Sequence, residues 1–167
     1  MRTKHVDRRT VELSSYPDLV VIYLGMRVNH LRGLCKLAVV GPQIRKSVAA
    51  SPDGLLLHES LLFSLFPLHV GMRQYWRDFQ SLENWTRSGL HQMWWKDFLR
   101  DSGGTGFWHE TYFMRGGMEA IYDDVPSAIG FLAFAPAHEA KGSMFSARHR
   151  LHLQGEPPAA VVSEREL

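Results

Sequence analysis

The chain has 167 residues, 45% hydrophobic and 22% charged, with a net charge of +2. That supports one globular domain with a real core, and so small a charge, without a Lys/Arg stripe interleaved with aromatics, does not point to nucleic acid, so no nucleic-acid partner is expected. The single cysteine, Cys35, excludes an intramolecular disulfide and fits a reducing compartment.

Residues 1–17 read as a polar N-terminal arm, and Met1–Arg9 has no apolar segment behind it of the kind a signal peptide needs. Asp18–Val28 reads as a strand. Its core, Leu19–Leu24, is apolar without a break, whereas a strand wet on one side alternates, so burial on both faces is expected. The run is far too short to span a bilayer. No membrane partner and a cytoplasmic location are therefore expected.

His30–Val40 has helical composition, and Gly41-Pro42 interrupts it, so a separate helix is predicted over Pro42–Ala50. Ser51-Pro52-Asp53-Gly54 is a turn. Leu55–Phe66 reads as a long strand and Val70–Arg77 as its hairpin partner. Ser81 is the expected N-cap of one helix running to about Arg100, stopped by Gly103-Gly104. Gly106–Met114 is an aromatic-rich strand, and Met118–Asp123 a short one.

The order strand, helix, strand, strand, helix, strand defines an α+β, ferredoxin-like βαββαβ domain over residues 18–125, with an antiparallel sheet and two helices on one face. Residues 126–154 form a C-terminal extension expected to pack on the domain or on a partner, and 155–167 a disordered tail. Val20 and Ile22 are placed on the bare sheet face. So apolar a face predicts a covering sheet from a twofold-related copy, a homodimer.

Helical spacing puts His91, Trp94, Trp95 and Phe98 on one face. His91 is then either a core histidine bonded to a backbone carbonyl or a pocket acid, base or ligand. On the last long strand, alternation separates Phe107, His109 and Thr111 from Trp108, Glu110 and Tyr112. So many polar groups on one strand suit either an inter-subunit hydrogen-bond network or a polar-bottomed, aromatic-walled cavity for a small molecule. On the hairpin strand, Arg73, Tyr75 and Arg77 oppose Met72, Gln74 and Trp76. Arg73 or Arg77 would hold an enolate oxygen or pair with carboxylates. Glu119 and Tyr122 are further polar candidates. No Cys/His spacing suggests a metal, and no glycine-rich motif suggests a nucleotide cofactor.

The stretches Gln74-Tyr75-Trp76-Arg77, Ser81-Leu82-Glu83, His91 with Trp95 and Phe98, Gly106-Phe107-Trp108-His109-Glu110-Thr111-Tyr112 and Met118-Glu119-Ala120-Ile121-Tyr122 are together similar to a bacterial and fungal monooxygenase-like domain-of-unknown-function family. The resemblance covers roughly residues 18 to 135. It implies the dimeric α+β barrel of the antibiotic-biosynthesis monooxygenases. Some proteins of that architecture oxidise phenols or enols with dioxygen and no cofactor, and others carry haem.

The expectation is thus a monooxygenase-like oxidoreductase acting on a small aromatic or enolisable substrate, with no organic cofactor and no metal. Its catalytic candidates are His91, His109, Glu110 and Tyr112. Its substrate-binding candidates are Arg73, Tyr75, Trp76, Trp94, Trp95, Trp108, Glu119 and Tyr122. The alternatives are a haem-dependent dehydratase or oxygenase, with His91 or His109 as axial ligand, and a non-enzymatic small-molecule binder.

Overall fold

The computed structural model describes residues 7–87, 89–114, 117–120, 122–123 and 130–152. The predicted tail at 155–167 lies outside them, as do the side chains of His91 and Trp95. The chain divides into two compact units, Asp18–Phe113 and Met1–Pro17 with Met114–Leu167.

The larger unit has the expected ferredoxin-like order. It comprises β2 (Val20–Val28), α1 (Gly33–Ala49), β3 (Leu55–Leu65), β4 (Leu68–Trp76), α2 (Phe79–Thr86), α3 (Gly89–Arg100) and β5 (Thr105–Phe113), while β1 (Arg8–Val11) belongs to the smaller unit. The four strands form one antiparallel sheet in the order β3-β4-β2-β5. Strand β3 is irregular, with register shifts between Leu55 and Leu57 and between Leu62 and Ser64.

The two faces of this sheet differ in chemistry. On β2, Val20 and Ile22 pack with Trp76 of β4 and Leu82 of α2, and Leu24, Leu55 and Trp85 close around them. This corrects the expected orientation, because Val20 and Ile22 lie under the helices. Their neighbour Val21 and its register partner Tyr75 lie on the opposite face and are only 6% and 3% exposed. The first part of the apolar run, Leu19 to Ile22, is therefore buried on both faces within one chain, while Tyr23 and Leu24 are half-buried.

Two helix boundaries also differ from expectation. Helix α1 runs straight through Pro42. Gly41 has no Cβ to meet the proline ring, and Pro42 is exposed, so water can take the carbonyl that the missing N–H leaves free. The second helix is two helices, and its cap is three residues earlier than Ser81. The Asp78 carboxylate accepts from the Ser81 backbone N–H at 2.7 Å. Arg77, which lies beyond β4, donates to Asp53 at 2.8 Å, to Asp78 at 2.9 Å and to the Ser81 hydroxyl at 2.9 Å.

In the smaller unit, β1 (Arg8–Val11), which falls within the expected arm, forms a strand between β6 (Tyr122–Asp123) and β7 (Ala137–Glu139). The buried Thr10 hydroxyl donates to the Ala120 carbonyl at 3.0 Å. Tyr16 donates to the Phe134 carbonyl at 3.0 Å, with the two rings edge to face.

Candidate functional site

In an antiparallel sheet, directly paired residues share a face. The helix-covered face therefore carries His58, Gln74, Ile22 and Thr111 in one row and Ser60, Met72, Leu24 and His109 in the next. Phe107 belongs to the same face, and the Phe98 ring of α3 packs on it with centroids 5.8 Å apart. His109 lies on the edge strand, its ring 6.0 Å from that of Phe107, and is exposed.

A polar chain crosses this face. Trp76 is fully buried and its indole N–H donates to Gln74 Oε1 at 3.2 Å. Indole nitrogen can only donate, so the amide oxygen must face it and the amide nitrogen must face His58 Nδ1, 3.2 Å away. His58 Nδ1 is then an acceptor, and the neutral ring carries its proton on Nε2. Burial pushes the His58 ring below the ordinary imidazole range, against the opposing pull of Glu59. His58 is thus a neutral donor and not a base. Three interstrand spacings, about 14 Å, separate it from His109, too far for both to grip one small substrate.

The opposite face carries a charged row, Glu59, Arg73, Tyr23 and Glu110. Arg73 pairs with Glu59 at 2.7 Å, donates to the Tyr23 hydroxyl at 2.9 Å and lies over the Tyr23 and Tyr75 rings. Burial works against its charge, but the bonds to Tyr23 and Glu59 outweigh burial and raise its pKa. Tyr112 donates to the Glu110 carboxylate, which raises the phenol pKa, and its ring meets Tyr23 edge to face. Trp108 donates its indole N–H to His69 Nε2 at 2.8 Å.

The sequence candidates therefore fall in three places. His109 and Trp76 lie on the helix-covered face, and Trp94 is a half-buried residue of α3. Arg73, Tyr75, Trp108, Glu110 and Tyr112 lie on the other face. Glu119 and Tyr122 belong to the smaller unit, where Arg150 grips Glu119 at 2.8 Å and the Tyr122 hydroxyl accepts from the Leu132 backbone N–H at 3.3 Å. His91 lies on α3, its side chain outside the described residues. Sequence reasoning passed over the role of His58. The signal was a histidine paired across the hairpin with Gln74, which alternation alone placed opposite Arg73. Among the described residues, no three of His, Cys, Asp and Glu converge as a metal site.

This topology and the two unlike faces define an α+β protein of ferredoxin type. The sequence matches the family model described as Monooxygenase af470-like over residues 19–131, and the chain belongs to that family. No curated protein matches it. Among solved structures, the chain is similar to an aldoxime dehydratase, with 21% identity and a TM-score of 0.63, covering 79% of this chain and 39% of that one. It is also similar to an aldoxime dehydratase in complex with butyraldoxime, with 21% identity and a TM-score of 0.59, covering 87% and 43%. A cofactor-independent oxygenase from Streptomyces nogalater matches at 12% identity and a TM-score of 0.46, covering 59% and 94%. At these identities the likeness is one of fold, and the chain spans about two fifths of the length of the two dehydratases.

Proposed function

We propose that the protein is a monooxygenase-like oxidoreductase that oxidises a small phenolic or enolisable molecule at the helix-covered face of β5, without an organic cofactor. One observation supports this reading above the others. Phe107, His109 and Thr111 share that face, and α3 brings Phe98 onto Phe107. An imidazole beside an aromatic wall suits removal of a proton from an activated C–H.

In this scheme His109 takes a proton from a methylene activated by a neighbouring phenol or enol. The carbanion passes one electron to dioxygen, and the radical pair closes to a peroxide on carbon. Loss of water leaves a carbonyl. CH2 plus O2 thus becomes C=O plus H2O, and no outside reductant is required. His91 on α3 is the second base candidate. Arg73, Tyr75, Trp108, Glu110 and Tyr112 lie across the sheet, where the exposed Glu110 and Tyr112 suit an interface with a second copy. Their row carries both charge signs, which makes a twofold, self-complementary contact feasible. The lone exposed Cys35 suits the cytoplasm.

The test is oxygen uptake by purified protein with dithranol, a phenolic ketone bearing one activated methylene. Uptake by colourless protein, reduced about 100-fold or more by His109→Ala or His91→Ala, is expected for loss of a general base. Turnover unchanged in both variants overturns the assignment. A Soret band on haem addition, lost in one of the two variants, replaces it with the haem reading.

A further inference from the structure

At the end of the sheet where β2 finishes, a cavity of about 570 Å³ opens beside the β3–β4 hairpin. Its lining includes Arg27, Asn29, Ser64, His69, Phe107 and Trp108. The volume falls within the range of small-molecule pockets. None of these residues except Phe107 and Trp108 enters the oxidation scheme or its candidate list.

The cavity wall is built on a floor of two glycines. Gly25 of β2 is the register partner of Gly71 on one side and of Trp108 on the other. A Cβ at Gly25 would lie 2.7 Å from Trp108 Nε1 and 2.9 Å from His69 Nε2, so the Trp108–His69 hydrogen bond sits directly over that bare backbone. A Cβ at Gly71 would lie 2.6 Å from Phe63 Cε2. The Phe63 ring packs against both partners, 4.7 Å from His69 and 5.4 Å from Trp108. Glycines inside adjacent strands weaken a sheet and mark a close approach. Here they leave room for an imidazole and an indole that meet edge to face, with centroids 6.0 Å apart, where side chains would stand.

The polar groups of the lining point to the sign of the ligand. Arg27 is exposed, and among the described residues no carboxylate pairs with it. Indole N–H only donates, so His69 Nε2 accepts and the neutral ring keeps its proton on Nδ1 as a donor. Asn29 adds an amide beside Gly106. The Ser64 hydroxyl donates to the Pro67 carbonyl at 2.6 Å, and among the described residues no acidic one lines the cavity. A free guanidinium is a fork suited to a carboxylate, and flat rings beside it suit a flat body.

We propose that this cavity binds a small planar aromatic carboxylate, with Arg27 on the carboxylate and the Trp108–His69 pair against the ring.

The experiment is isothermal titration calorimetry of the full chain with benzoate, benzamide and cyclohexanecarboxylate. Benzoate is expected to bind at one site, and the neutral amide and the non-planar acid each more weakly. Losing a charge-assisted hydrogen bond in Arg27→Gln is expected to weaken benzoate about tenfold or more, with an unchanged melting curve because the residue is exposed. Gly25→Ala is expected to weaken benzoate while the fold, checked by circular dichroism, persists. No benzoate binding at millimolar concentration overturns the proposal. So does equal binding by Arg27→Gln, or cyclohexanecarboxylate binding as tightly as benzoate. None of these outcomes bears on oxygen uptake at His109.

Discussion

His58 shows how one buried contact fixes chemistry. Trp76 sets the Gln74 amide, Gln74 sets the imidazole tautomer, and burial holds the ring neutral. Its folded pKa lies below the ordinary imidazole value of 6.5, so the unfolded chain binds the proton more readily. The stability tied to this neutral ring is complete above the unfolded pKa and falls as pH drops through it towards the depressed folded value. His58→Gln keeps an acceptor for Gln74 but removes the titration. Thermal melts between pH 7.5 and 5 should therefore show a steeper loss for the wild type than for the variant, and equal slopes would refute the assignment. Asp53 and Asp78, whose carboxyls are held low by Arg77 and by the Ser81 backbone N–H respectively, act at more acidic pH and leave this window clear. Much of the face chemistry was legible from period-two alternation, which separated Arg73 and Tyr75 from Gln74 and Trp76. The His58 role was not, because it depends on a partner across a hairpin whose bulges shift the count.

Strand existence and order could be read from the apolar runs and the turn at Pro52-Asp53-Gly54, but helix ends could not. Ser81 is a good cap by type, yet Asp78 occupies that place because its carboxylate reaches the Ser81 N–H and Arg77 steadies it from behind. The Ser81 hydroxyl is instead held by Arg77. Asp78→Ala removes the acceptor, and a destabilisation of about 1 kcal/mol is expected for a lost cap, read from the urea midpoint. Ser81→Ala should cost clearly less. If Ser81→Ala proves the more damaging, the cap is misassigned. Pro42 was read as a break because proline interrupts a helix in most contexts. An exposed position after a glycine is the context in which it does not.

For the molecule as a whole, the βαββαβ order was legible, whereas the small sheet of β1, β6 and β7 was not. Its strands are two to four residues long, too short to show a period, and they pair across more than a hundred positions. Val20 and Ile22 lie under the helices, so the case for a second copy rests on the charged and aromatic row across the sheet, with Tyr112 half exposed at its margin. Light scattering behind a sizing column should give twice the chain mass at micromolar concentration, and Tyr112→Arg should shift it to one chain. A single-chain mass at every concentration would remove the dimer. Among the described residues no helix is long and apolar enough to cross a membrane.

The two register shifts in β3 have a consequence for how copies can meet. An outer strand with straight, evenly spaced amides is a template onto which another molecule can zip, and such zipping has no natural end. At Leu55–Leu57 and Leu62–Ser64 that rail is kinked near both of its ends. Lateral growth into fibrils is discouraged along this margin.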